Sequence, residues 1–345
     1  MQLTDIISRY QDKFFTSHGH RLEQRHLQAV RATLTCRTGN FGEVQLICHS
    51  CNSSDSYFLS CGNRSCPRCQ NHDTTSWLER QQNKLLPVKY YMVTFTLPFE
   101  LRTLVWENQK ALYNAIIQCA VDTLKQFGIN DKKLGGPIGL TAVLHTHARR
   151  LDFHPHVHII VPGGCVDKKR KQWRKLKRKY LFNEFNLAKV FRAKFLDAVN
   201  ELKLTLPRHI TSKWIVDCER VGQGLPALKY LSRYLYRGVI SEKNIIADDG
   251  QNVTFRYIDS ETKQWRTRTE KGEDFLWLVF QHVLPKGFRR ARDYGILHGK
   301  AKKLLELIQY LLVVALRPPE EKPRPAYLCK CCKKPMSILR IIAPG

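Results

Sequence analysis

The chain has 345 residues, with 57 Lys and Arg against 30 Asp and Glu and a formal charge of +27. At about 100 to 200 residues per domain this length makes two or three units with a substantial core, and the charge imbalance attracts polyanions by counterion release. Nucleic acid is therefore the expected partner, and a membrane is not: no apolar run nears the ~20 residues of a span, and no charged, apolar and small-residue signal order opens the chain, so a cytoplasmic protein is expected.

Residues 1 to 35 carry helical apolar spacing in LTDIISRYQDKFF and HLQAVRATL. A cysteine-rich stretch follows. The chain has 12 cysteines, many in CxxC pairs, which on a basic chain without a signal points to metal thiolates rather than disulfides. Cys48 and Cys51 form one knuckle and Cys66 and Cys69 another, with 14 residues between them. Four soft thiolates suit tetrahedral Zn²⁺, so these four are the expected structural zinc site. Cys36 and Cys61 are further candidate ligands, though the plainer expectation is that they are ordinary buried cysteines. Zinc that merely folds a small module is compatible with a binding role, with Arg64 and Arg68 facing phosphates.

A polar helix from Thr75 to Leu86 is stopped by Pro87, and VKYYMVTFTLP reads as a strand. Residues 101 to 127 are an amphipathic helix. Strands are expected at 139 to 147 and 154 to 162, ending at Gly163 and Gly164. This order predicts an α+β fold, a central antiparallel sheet flanked by helices that lie on one face. In FHPHVHIIV, His156 and His158 share one face of the strand while Val157 packs behind. A lone core histidine is usually a satisfied structural one, but a pair at i and i+2 can chelate one ion. A third ligand comes from His154, unless Pro155 turns it away, or from His145 or His147 on the neighbouring strand. Such imidazoles suit Mn²⁺, Mg²⁺ or Zn²⁺ acting on phosphate oxygens.

The basic run that follows contains Lys168, Lys169, Arg170, Lys171, Arg174 and Lys175, interleaved with Trp173 and Tyr180 as stacking surfaces. A charge run is often only a solvated face, but on this chain it reads as nucleic-acid contact. Residues 183 to 202 are helical, and so is the segment from about Leu225 to Arg237. That second helix puts Tyr230 and Tyr234 on one face, with Arg233 and Arg237 close by to favour a phenolate and grip phosphate. The plain alternative is an aromatic stripe packing into the core. A β-rich segment, VTFRYIDSETKQWRTRT, precedes the basic HVLPKGFRRARDYG with Lys286, Arg289, Arg290 and Arg292. Leu304 to Leu316 reads as a buried helix ended by Pro318 and Pro319. Near the end, AYLCKCCKKPM holds Cys329 and Cys332, half a metal site that either recruits ligands from elsewhere or is an inert tail.

The HPHVH strand, the upstream TFTLP strand, the tyrosines of YLSRY, the CxxC and CPxCQ module and HVLPKGFRRARDYG, in this order, resemble the two-tyrosine HUH transposases of bacterial rolling-circle insertion sequences. The resemblance implies a zinc-binding N-terminal domain and an HUH nuclease. The expected division is residues 1–95 for the helices and zinc module, 96–240 for the nuclease with a basic insertion near 166–225, 241–320 for DNA binding and 321–345 for a tail. It further implies that His156 and His158 hold Mg²⁺ or Mn²⁺, that Tyr230 or Tyr234 attacks single-stranded DNA to leave a 5′-phosphotyrosine, and that transposon ends and target DNA are the partners. Rival readings are a replication initiator or relaxase with the same chemistry, an HxH metallohydrolase of a small molecule, and a non-catalytic zinc-ribbon nucleic-acid binder.

Overall fold

The structure is a computed structural model. It describes residues 1–69, 71–167, 170, 172–176, 180–235, 238–314 and 326–344, with the side chains of Asn71, His72, Arg233 and Tyr234 also left undescribed. In the N-terminal helix α1 (Leu3–His18), Leu3, Ile6, Ile7, Tyr10 and Phe14 recur at helical spacing and are all buried. With α2 (Gln24–Leu34) this face packs on elements far along the chain. The thiol-rich stretch then forms the hairpin β1 (Glu43–Ile47) and β2 (Ser54–Phe58), followed by α3 (Asn71–Gln82).

The centre of the molecule is built from β3 (Tyr90–Thr96), α4 (Arg102–Glu107), α5 (Gln109–Asn130), β4 (Leu140–His147) and β5 (Phe153–Pro162), then a small hairpin, β6 (Gly164–Asp167) and β7 (Gln172–Lys175). There follow α6 (Glu184–Glu201), β8 (Ile215–Arg220), α7 (Leu225–Leu235), the strands β9 (Ile245–Asp248), β10 (Asn252–Ile258) and β11 (Trp265–Lys271), and α8 (Gly272–Phe280). Last come β12 (Ala291–Tyr294), α9 (Lys302–Leu311) and β13 (Ser337–Ile342). The central sheet has the order β12-β4-β5-β3-β8, with every neighbouring pair antiparallel. The expected α+β fold with a central antiparallel sheet is thus present.

Helices cover both faces of that sheet rather than the one face expected. On one side Tyr91, Val93, Phe95, Leu140, Ala142, Leu144, Val157, Ile159 and Val161 meet Leu112, Ile116 and Leu124 of α5 and Phe191 and Phe195 of α6. On the other, Tyr90, Val143 and Ile160 meet Trp77 of α3, Leu228 and Leu231 of α7, and Ile308 of α9. The reason is visible in β5: past His158 the strand is apolar at consecutive positions, Ile159 facing one layer and Ile160 the other. Each large apolar side chain buried this way contributes about 1.5–3 kcal/mol.

The expected boundaries at 95, 240 and 320 cut across this architecture. Strand β3, assigned to the N-terminal unit, lies between β5 and β8 inside the central sheet, and β12, assigned to the C-terminal region, forms its other edge. The faces of α1 and α2 pack against Val253, Phe255, Phe275 and Phe280 of β10 and α8. Strand β13 of the tail pairs with β1. Helix α9 ends at Leu311 and is buried on one side only, with Leu305 and Ile308 inside and Leu307 and Tyr310 exposed, so it is amphipathic rather than fully buried. No helix among the described residues is long and apolar enough to cross a membrane.

Candidate metal centre and nucleic-acid interface

The register of the central sheet assembles an imidazole cluster. Antiparallel pairing sets His145 of β4 directly opposite His156 of β5, and Thr94 of β3 opposite His158, so all four side chains share one face. One nitrogen from each of His145, His156 and His158 lies within 4.8 Å of the other two. His156 Nδ1–H donates to the carbonyl of His154 at 2.7 Å, and Thr94 Oγ1 sits 2.9 Å from His158 Nδ1. Occupying Nδ1 in both rings fixes their orientation and keeps Nε2 as the ligating nitrogen, as in protein metal sites generally. Burial lowers the imidazole pKa throughout, to about 4 for His156 and well below the ordinary value for His145 and His158, so the rings are neutral ligands at neutral pH. The donor set fits a divalent ion.

The third member is therefore His145. His147, one alternative, follows a register shift in β4 and lies beside His282, the two rings tilted with centres 5.2 Å apart. His154, the other, meets the Arg102 guanidinium. Tyr230 of α7 stands over the cluster, its ring 6.1 Å from that of His158 and 6.5 Å from that of His145. The backbone of Tyr234 lies one turn further along α7, but its side chain falls outside the described residues.

The thiols regroup relative to expectation. Cys48, Cys51, Cys66 and Cys69 do not converge. Cys66 and Cys69 cluster with Cys36 and Cys61, and Cys48 and Cys51 with Cys329 and Cys332; in each group the four sulfurs lie within 4.8 Å of one another. Cys36 and Cys61 are thus part of a thiol quartet, not ordinary core cysteines, with Cys69 Sγ 3.4 Å from both. A Zn–S distance of ~2.3 Å gives a tetrahedral edge of roughly 3.8 Å, so the quartet fits zinc without rearrangement.

The basic residues divide into structural and surface sets. Arg64 is turned inward: Nη1 donates to the Phe288 carbonyl at 2.8 Å and Nη2 to those of Leu284 and Pro285 at 3.0 and 2.7 Å. Arg68 donates to Gln2 and Thr4 and lies near Glu242. Both spend donors tying the thiol module to the rest of the chain, and Arg64 also lines the cleft described below. Arg174 pairs with Asp167, while Arg170 and Lys175 are exposed. Lys168, Lys169, Lys171 and Arg237, and the Arg233 side chain, fall outside the described residues.

Lys286 and Arg289 are exposed, and Arg292 bonds Asn114. Burial and nearby Arg64 lower the pKa of Arg290 to about 10. A cleft of about 840 Å³ runs past Arg80, Lys84, Arg289, Arg290, Arg292 and Lys300. It also touches Leu235 at the end of α7 and His282 beside His147. Arg80, Lys84 and Lys300 carry no local sequence signal, and although Thr94 opens the TFTLP strand, its pairing with His158 follows only from the cross-strand register.

Comparison with known proteins assigns both parts of the chain to transposase domains. Residues 6–97 match the family model described as "Transposase zinc-binding domain", and residues 139–304 match the one described as "Putative transposase". The chain is 29% identical over 349 residues to "Putative transposase y4qJ" of Sinorhizobium fredii, covering 94% of this chain and 87% of that protein. It is likewise 29% identical over 299 residues to "Transposase for insertion sequence element IS801" of Pseudomonas savastanoi pv. phaseolicola, covering 81% of this chain and 72% of that protein. No solved structure matches. Over most of its length the chain is thus similar to insertion-sequence transposases and to their N-terminal zinc-binding domain.

Proposed function

We propose that this transposase is of the HUH type and cuts and rejoins single-stranded DNA through a 5′-phosphotyrosine, with Mg²⁺ or Mn²⁺ held by His145, His156 and His158. The observation that carries the reading is the position of Tyr230, whose ring stands against two of the three imidazoles. A divalent ion at this place would polarise the scissile phosphate and neutralise charge that develops on its oxygens. The Tyr230 hydroxyl attacks phosphorus, the P–O3′ bond breaks, and the phenol proton is matched by the one taken up by the departing 3′-oxygen. Attack by a 3′-hydroxyl on the phosphotyrosine reverses the step, so the bond energy is conserved and no nucleotide cofactor is consumed.

Tyr234, four residues on, provides a second phenol for holding one strand end while another is cut. The basic cleft would track the DNA backbone, with exposed Tyr180 as a stacking surface, whereas Trp173 packs against the core beside α7 and α9. The transposon ends and target DNA are the substrates in this reading, and a cytoplasmic location suits them. A replication initiator or relaxase would share the chemistry, but the two transposase-domain matches favour transposition. Neither the HxH small-molecule hydrolase nor the non-catalytic binder accounts for a phenol beside the imidazoles together with a basic cleft.

The test is incubation of the full chain with a labelled single-stranded element terminus and Mn²⁺, followed by a denaturing gel. The fragment on the 3′ side of the cut is expected to be linked to the protein through its 5′ phosphate, with the other fragment released bearing a 3′-hydroxyl. The adduct is expected to be lost in Tyr230→Phe and in His156→Ala/His158→Ala. Cleavage that persists undiminished in Tyr230→Phe/Tyr234→Phe would sink the proposal.

A further inference from the structure

A zinc-binding domain matched over residues 6–97 accounts for Cys36, Cys61, Cys66 and Cys69. It leaves unexplained a second thiol group drawn half from the other end of the chain. We propose that Cys48, Cys51, Cys329 and Cys332 bind a second structural zinc ion, in a ribbon assembled from both ends of the protein.

The geometry already has the required form. Cys48 Sγ lies 3.4 Å from Cys332 Sγ, and Cys51 Sγ 3.5 Å from Cys329 Sγ, close to the roughly 3.8 Å edge of a tetrahedral thiolate site. The two CxxC turns are also alike in backbone. In the first, Cys48 N–H donates to the Ser53 carbonyl and Asn52 N–H to the Cys48 carbonyl, both at 2.8 Å; in the second, Cys329 N–H donates to Lys334 at 2.9 Å and Lys333 N–H to Cys329 at 3.0 Å. The residue after the second cysteine is left-handed in both, Asn52 at φ 55° and Lys333 at φ 60°. Two copies of one turn facing each other across four sulfurs make a paired-knuckle site.

Independent contacts dock the tail onto the N-terminal hairpin. Strand β13 pairs with β1 from Glu43 to Ile47. Gly42, at φ +91°, passes so close to the tail that a Cβ there would sit 2.4 Å from the Ile342 carbonyl oxygen, so only glycine suits this approach. Lys330 pairs with Asp55 at 2.8 Å, and Tyr57 stacks on Tyr327. The apolar core of the ribbon is small, essentially Val44, Leu46 and Met336 around the sulfurs. A core of that size needs a metal to hold it.

Zinc content of the purified chain and its variants tests this. Cys48→Ser and Cys332→Ser should each lose one zinc equivalent relative to the unaltered chain, the double variant should lose no more than either, and Cys66→Ser/Cys332→Ser should lose two. Full zinc content in Cys332→Ser, or additive losses in Cys48→Ser/Cys332→Ser, would overturn the proposal. Should a variant fail to fold, alkylation of the unaltered zinc-loaded chain during stepwise chelation gives the same answer. Cys48, Cys51, Cys329 and Cys332 should become reactive together, while exposed Cys331 reacts from the start. Prompt reaction of Cys329 and Cys332 at the rate of Cys331 would overturn it.

Discussion

Thr94 contributes no nitrogen to the imidazole cluster, yet it holds one side of it by meeting His158 Nδ1. Partners of this kind typically tune metal affinity 10- to 100-fold, so Thr94→Val is expected to weaken Mn²⁺ binding by about that factor in a calorimetric titration while leaving the fold intact. Unchanged affinity would remove Thr94 from the site. His26 supports the fold in a different way. It is buried with Nδ1 accepting from the Glu23 N–H at 2.9 Å, and burial lowers its pKa to about 4. Its folded value is below its unfolded one, so its contribution is fully present above about pH 6.5 and is lost as pH falls toward 4. The melting temperature should drop across that window, and less steeply in His26→Gln.

The histidine pair was legible because a strand has a period of two residues. The choice among His145, His147 and His154 was not, because it depends on pairing register and on the irregularity between His145 and His147.

At the scale of elements, the same basic residue type does opposite jobs. Arg64 closes the loop from Leu284 to Phe288 through three carbonyls. Arg64→Ala should therefore destabilise the protein by about 2 kcal/mol or more, since hydrogen bonds to a charged group are worth roughly 1.5–3 kcal/mol and their loss leaves acceptors unpaired. A shift in the chemical-denaturation midpoint measures this. Lys286→Ala, on an exposed side chain of the same loop, should leave that midpoint unchanged. Sequence spacing marked the cysteines as metal ligands, but CxxC pairs do not encode which knuckle faces which. The grouping is decided by β1 pairing with β13 at a separation of nearly the whole chain, and no local pattern carries that information. Helix α7 was legible in place and in phase, from its strong apolar periodicity. What periodicity could not supply was the neighbour of Tyr230, which follows from α7 lying across the His145 and His158 face of the sheet.

Over the whole molecule, the +27 charge pointed to a polyanion from composition alone, and the fold gathers part of it around one cleft. If Arg289 and Lys300 each contact a phosphate of single-stranded DNA, the slope of log K against log salt should become shallower by about 0.7 per contact. Arg289→Ala/Lys300→Ala is then expected to lose about 1.4 from that slope in binding titrations, and no change would place the DNA track elsewhere. The proposed function stands on a phenol of α7 becoming joined to DNA beside the imidazole cluster. Trypsin separates the two candidates, because cleavage after Lys229, Arg233 and Arg237 puts Tyr230 and Tyr234 in different peptides. Mass spectrometry of the covalent complex, trimmed with nuclease and digested, is predicted to find a nucleotide on the peptide 230–233. An adduct absent from that peptide, or cleavage of DNA with no tyrosyl adduct, would contradict this mechanism.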